Sequence, residues 1–299
     1  MTNKKVYTVV TVSVLAVSWS PIFIREMLHN GVSPDVAAFY RMLFSVLLLA
    51  PFALLSQNHR RGMAALTRRD KWITAFSGLF LALHFLCWFF SLQYASVFSS
   101  TVLVNLNPVF LLVIESLWFH HRPTGKEITG VLLALLGLVL LSLPGGGDDG
   151  ASLTGNLLAI LAAGFMGGYM LCSRSVRPKL HILPFSFLVY AVCTLGIGVW
   201  VVTAGRPLAG YSLEDFALFS GSAVVCTLLG HSLFQWSLRY IRASTLSVFI
   251  LGEPVGAAVW AFLLYREVLG PVAYIGGAVL LIGIALFNIK RKDTEKAAA

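Results

Sequence analysis

Charge is the scarcest property of this sequence. Asp, Glu, Lys and Arg make up 12% of its 299 residues, against about 25% in soluble domains. None of the four occurs between Trp72 and Ile114. So few charged groups cannot cover a surface that faces water, and the mean hydropathy of +0.82 points to lipid as the solvent instead. Cysteine is scarce as well. Cys87, Cys172, Cys193 and Cys226 all fall in apolar stretches. They lack C-x-x-C spacing and the loop positions of a disulfide framework, so they read as small apolar filler. Absent motifs narrow the function further. No G-x-x-x-x-G-K-S/T sequence is present, which argues against direct drive by ATP. Without H-E-x-x-H or G-x-S-x-G, and with loops too short for a catalytic domain, the chain does not read as an enzyme. His120-His121-Arg122 lacks the carboxylates of a metal site, and no metal or other cofactor is expected.

What the sequence has in abundance is apolar segments of about 20 residues, the length that crosses a bilayer as a helix. They run over Val6–Ile24, Met42–Asn58, Ile128–Gly147, Ala151–Ser173, Leu180–Gly205, Phe216–Leu238, Ala243–Tyr265 and Val268–Ile289. Trp72–Phe119 is long enough for two more, with a turn near Ser91–Ser96. The expectation is an all-α integral membrane protein of ten transmembrane helices. The first segment is too long for a cleaved signal, and no small-x-small site follows it.

Net charge is +9, which in another setting would point to nucleic acid. Here its placement decides. With the N-terminus inside, 18 of the 22 Lys and Arg fall on the inner side, from Lys4 and Lys5 through Arg174, Arg177 and Lys179 to Lys296. This is the positive-inside bias, and it reads these residues as headgroup anchors. Both termini are therefore expected in the cytoplasm. Arg41 reads as an outer-end anchor or a partner for Asp35. Glu115 reads as a snorkelling carboxylate near His120, His121 or Arg122.

The chain also repeats itself. At an offset of 146 residues, Ser91, Leu92, Tyr94, Val102, Pro108 and Val109 recur as Ser237, Leu238, Tyr240, Val248, Pro254 and Val255. Gly130 and Gly137 match Gly276 and Gly283. Earlier segments align near an offset of 150, pairing Trp19 with Tyr169, Pro34 with Pro184 and Tyr40 with Tyr190. The reading is an N-terminal repeat over 1–144, an external linker at 145–150, a second repeat over 151–289 and a cytoplasmic tail at 290–299. Five helices per copy is an odd number, so the second copy enters the membrane inverted. Inverted repeats are a mark of transporters that alternate access around a site near the bilayer midplane.

Candidate site residues follow from that midplane. Pro108 and Pro254 fall mid-helix, where proline removes a donor and pushes away the carbonyl four residues earlier. Both are read as bends and candidate hinges. The polar residue before each, Asn107 or Glu253, marks a wet interior, and a carboxylate at that depth points to a functional or a paired group. His84 with Trp88, and His231 with Gln235, are spaced to share a helix face. With Trp19 and Tyr169 they would line one cavity, set for a zwitterion, an aromatic molecule or an organic cation. Other roles stay open: the aromatics as packing or interface anchors, the histidines as interhelical hydrogen bonds. Gly164–Gly168 and Gly252–Gly256 have small-xxx-small spacing for close helix contacts.

These features resemble the drug/metabolite transporter superfamily and its EamA-type members. The resemblance is carried by "AVSWSPIF", "SPDVAAFYRMLFSVLLL", "LNPVFLLVIESLWF" and "GEPVGAAVWAFLLYREVLGPVAYIGGAVLLIGIAL". Within the last, Glu253-Pro254, Arg266-Glu267 and the glycines at 276, 277 and 283 carry the pattern. His121 stands where the first repeat usually has glutamate. The polar and aromatic midplane is most similar to YddG-type exporters of aromatic amino acids and paraquat-like cations. The resemblance implies a secondary transporter in a bacterial inner membrane, exporting neutral amino acids or related metabolites, with protons as a candidate coupling ion. Organic-cation export and metabolite import remain alternatives, and an integral-membrane enzyme is a distant third.

Overall fold

The computed structural model describes residues 3–94, 97–118, 120, 122–142, 153–266 and 270–289. The expected linker at 145–150, the tail at 290–299, His121 and Glu267 lie outside them. Among the described residues there are helices and turns and no strand. Among the described residues, eight helical stretches are long and apolar enough to cross a membrane. The chain is a multi-pass membrane protein.

Several spans are built from shorter pieces. The first joins α1 (Asn3–Val17) to α2 (Ser20–His29), and α3 (Pro34–Leu55) is continuous. A short polar helix, α4 (Gln57–Ala64), capped by Ser56, leads into α5 (Arg68–Tyr94). The next span joins α6 (Val97–Val104) to α7 (Asn107–Trp118). After α8 (Gly125–Ser142) come α9 (Leu153–Val176) and α10 (Ile182–Thr203). Then α11 (Leu213–Ser222), a π-helical segment (Ala223–His231) and α12 (Ser232–Ser237) form one span. The last elements are α13 (Ala243–Ile250), α14 (Glu253–Tyr265) and α15 (Pro271–Phe287).

The mid-helix prolines correct one expectation. Pro108 and Pro254 do not bend continuous helices: each opens a new one after a two-residue break, at Asn105–Leu106 and Leu251–Gly252. In the first turn the N–H that proline lacks has no intrahelical acceptor anyway, and its fixed φ suits the start of a helix. A third break, at Ser18–Trp19 ahead of Pro21, was not anticipated.

Glycine sets the closest packing. α8 lies along α15, and a Cβ on Gly137 would fall 2.3 Å from the Leu280 nitrogen, with the Gly276 carbonyl oxygen at 2.7 Å. A Cβ on Gly283 would fall 2.3 Å from the Ala134 nitrogen, with the Gly130 oxygen at 2.7 Å. The start of each helix therefore faces the end of the other, so the two run antiparallel. α3 similarly lies along α10, and α5 along α9. Gly256 packs on Ser18 and Gly168 on Phe80, whereas Gly164 faces open space.

Several of the basic residues expected on the inner side are engaged within the protein. Arg177 is buried at 2% exposure, over the Phe185 ring, and donates to the carbonyls of Gln235 (2.9 Å) and Leu180. Burial, with Arg239 nearby, pulls its pKa down to about 10, which still leaves it charged at neutral pH. Lys179 pairs with Asp70 at 2.7 Å. Glu115 is buried, and its partners are Arg174 at 3.2 Å, the Ser244 amide at 3.3 Å and the Ser244 hydroxyl at 2.5 Å. Of the expected neighbours, His120 and Arg122 are not among these, and His121 lies outside the described residues. Arg242 bridges Glu115, at 4.0 Å, and Glu127. Pairing with buried carbonyls and carboxylates offsets part of the desolvation cost of both partners.

Candidate functional site

Arg41 holds the centre of the interior polar cluster, contrary to its reading as an outer anchor. Asp35 is taken by Arg206 at 3.0 Å and by the Trp200 indole at 3.3 Å. Arg41 sits about two turns down α3 and is 7% exposed. Its Nε donates to Thr227 Oγ1 at 2.9 Å and its Nη1 to Ser20 Oγ at 2.8 Å. Both acceptors owe their positions to irregular backbone. Ser20 follows the break at Ser18–Trp19, and Thr227 lies in the π segment, whose widened turn is closed by the Ser232 N–H on the Thr227 carbonyl. π-helical turns recur at functional sites.

Aromatic rings connect Arg41 to the predicted residues. Its guanidinium lies 5.7 Å from the Phe85 ring centre. Phe85 neighbours His84 at 5.4 Å and His231 at 6.1 Å, and His84 stacks near Trp88 at 6.3 Å. Tyr169 lies 6.5 Å from His231. The Tyr169 hydroxyl and the Gln235 carboxamide are electrostatic neighbours. Five predicted residues, His84, Trp88, Tyr169, His231 and Gln235, thus belong to one aromatic and amide cluster. His84 also bonds between helices, its Nδ1 lying 2.9 Å from the Ala162 carbonyl oxygen.

The other predicted residues sit at the breaks. Trp19 is half-buried and packs on Trp260 with ring centres 4.7 Å apart, while Trp260 donates to Ser18 Oγ at 2.8 Å. Asn107 is 3% exposed at the start of α7. Glu253, half-buried at the start of α14, makes no ion pair or hydrogen bond among the described residues, though it lies within Coulombic reach of Arg41 and Cys226. Trp19 and Asn107 have no direct contact with the central rings among these interactions, so the eight predicted residues divide into a central cluster and a flanking set.

Polar atoms without partners are unevenly spread. Nine buried side-chain nitrogen and oxygen atoms among the described residues have none. Six belong to predicted site residues: Trp88 Nε1, Asn107 Oδ1, Tyr169 Oη, His231 Nδ1, and Gln235 Nε2 and Oε1. A seventh is Arg41 Nη2. Buried polar atoms are ordinarily paired, so this concentration marks a place that a ligand or water completes. In this conformation the space is small. A cavity of about 10 Å³ beside Arg41, Ser20, Phe23, Phe85 and Phe89 has room for about one water molecule.

Arg41 is the functional candidate that sequence reading missed, and a signal for it existed. Seven residues into a helix at 1.5 Å per residue puts it about 10 Å below the helix start, in "FYRMLF". On α3 the buried residues from Ala37 onward are Ala, Tyr, Met or Leu apart from Arg41 and Ser45.

Known proteins supply a context for this geometry. The sequence profile of the EamA-like transporter family matches residues 4–143 and again 153–289. "Uncharacterized transporter YetK" of Bacillus subtilis (strain 168) is 23% identical over 94% of this chain and 86% of its own length. "Uncharacterized inner membrane transporter YhbE" of Escherichia coli (strain K12) is 24% identical over 90% and 87%. One solved crystal structure superposes with a TM-score of 0.78 at 16% identity, covering 96% of this chain and 98% of that one, a likeness of fold alone. With both halves matched and its described residues built from apolar helices around a polar centre, the chain belongs to the EamA-like transporter family of the drug/metabolite transporter superfamily, and it is a membrane transporter.

Proposed function

We propose that the protein exports neutral amino acids, aromatic ones among them, across a bacterial inner membrane by alternating access. The observation that carries this reading is the set of unpartnered polar atoms on Trp88, Tyr169, His231, Gln235 and Arg41 in the central cluster. An amide, an imidazole, a phenol, an indole and a guanidinium among aromatic walls suit a molecule with polar ends and an aromatic body. Trp19, His84, Trp88, Asn107, Tyr169, His231, Gln235 and Glu253 are the proposed contacts. Glu253, unpaired and half-buried, is the proposed carrier of a coupling proton.

The proposed scaffold is ten spans in two inverted repeats, 1–144 and 151–289, with α8 and α15 as the fifth and tenth helices. Their antiparallel packing through matched glycines supports it: Gly130 meets Gly283 and Gly137 meets Gly276, the reciprocal pairing a two-fold axis demands. The breaks before Pro108 and Pro254 are the proposed hinges. An organic cation is the second reading, favoured by the Trp19–Trp260 pair, whose Trp260 lies on the same helix as the unpaired Glu253 carboxylate.

Purified protein in liposomes tests both readings through flux of labelled phenylalanine and labelled paraquat, with and without a pH gradient. Gradient-dependent phenylalanine flux that Glu253→Gln uncouples is the expected result. Flux of paraquat alone favours the second reading. Phenylalanine flux that ignores the gradient in both proteins removes the proton-carrier role.

A further inference from the structure

Arg41 carries a positive charge into the membrane interior without an anion. Its two outer nitrogens are unequal: Nη1 is held by Ser20, while Nη2 is buried and has no acceptor. Asp35 is occupied by Arg206, and Glu253 feels the charge of Arg41 from beyond ion-pair distance. The other groups facing the guanidinium are hydroxyls and rings: Ser20, Thr227 and Phe85. Neutral oxygens satisfy hydrogen bonds, but they do not offset the cost of a buried guanidinium. A polar charge at this depth calls for a partner by default, and the chain supplies none within 4 Å among the described residues. The cavity opens beside this side chain.

We propose that Arg41 is the subsite for a carboxylate on the transported molecule, which deepens, and rests on, the transport function proposed above. One carboxylate oxygen takes Nη2. Ser20 and Thr227 each accept a bond from the guanidinium and keep a hydroxyl proton of their own, so either can donate to the second oxygen. Phe23, Phe85 and Phe89 line the same space and receive the apolar part of the ligand. Glu253, a carboxylate without a partner among the described residues, is the candidate for an α-amino group on the same molecule. The substrate class is therefore a small monocarboxylate with an apolar or aromatic body, and amino acids are its zwitterionic members. The aromatic lining of the cavity argues against a bare inorganic anion.

Binding to the full-length protein in detergent, read by intrinsic tryptophan fluorescence, tests this with three probes: phenylalanine, phenylalaninamide and phenylacetate. The wild type is expected to bind phenylalanine at least tenfold tighter than the amide. Arg41→Gln is expected to abolish that preference, and Arg41→Lys to keep part of it because the charge remains without the fork. Equal affinity for acid and amide in the wild type overturns the proposal, as does a preference that survives in Arg41→Gln. If Arg41→Gln does not fold, the wild-type comparison and Arg41→Lys decide alone. Phenylacetate binding that depends on Arg41, with no transport of any amino acid, upholds the carboxylate subsite and removes the amino acid reading. Failure of all carboxylates to bind overturns the subsite.

Discussion

Glu115 shows how a single buried charge ties this protein together. It sits on α7 and is almost fully buried, yet it accepts from Arg174 on α9 and from the backbone and hydroxyl of Ser244 on α13. Removing a carboxylate from a dry ion pair costs about 3–5 kcal/mol, chiefly because the partner is left charged and unpaired. Here the Arg174 and Arg242 side chains keep 35% and 29% exposure, so water takes over part of the pairing. We expect Glu115→Ala to destabilise by about 1–3 kcal/mol, measured by thermal unfolding in detergent. Glu115→Gln should lose less, because its amide oxygen still accepts from Ser244. Equal stability of Glu115→Ala and wild type would show that these contacts add nothing. Sequence reading found the carboxylate but assigned its partners by proximity along the chain. The true partners are 59 and 129 residues away, and no local pattern points to them. Arg41 was misplaced for a related reason, since a basic residue near a helix end resembles an anchor until its depth is counted.

Helices in this fold differ in how continuous they are, and proline position explains much of it. Pro108 and Pro254 were legible as interruptions because a proline in an apolar run cannot be silent. Whether it bends or breaks the helix was not legible, since that depends on what meets the freed backbone groups. The π segment at Ala223–His231 carries no proline and left no signal at all. Because Pro254 occupies the first turn of α14, its removal should change stability by less than about 1 kcal/mol. If the break is a hinge, Pro254→Ala lets α13 and α14 join and should slow substrate flux several-fold in liposomes with little change in unfolding temperature. Unchanged flux would reduce the break to a fixed feature of the static fold. The glycines predict the opposite pattern. Gly137→Ala places a methyl 2.3 Å from backbone of α15, an overpacking worth about 1–3 kcal/mol. Gly164→Ala meets nothing within 4 Å and should be neutral or stabilising by about 0.5–1 kcal/mol from lost unfolded-state freedom. Thermal unfolding of the two variants side by side checks the sign of each.

At the scale of the molecule, the two halves are related by more than composition. Under the sequence offset, α3 corresponds to α10 and α8 to α15, and each packs on its own counterpart. α5 packs on α9, and its counterpart span, the π segment with α12, packs on α1, the counterpart of α9. A pairing that maps onto itself when the halves are exchanged is what a two-fold axis between them produces. An axis lying in the membrane plane further requires that matched loops face opposite sides. His29, at the end of α2, and Lys179, after α9, are matched at an offset of 150 and are both exposed. We expect a single cysteine at 29, in a background lacking Cys87, Cys172, Cys193 and Cys226, to react with a membrane-impermeant maleimide added outside intact cells. A single cysteine at 179 should react only after the membrane is permeabilised. Labelling of both from the same side would mean that the copies are parallel, and the exchange of access between two inverted halves would lose its geometric basis.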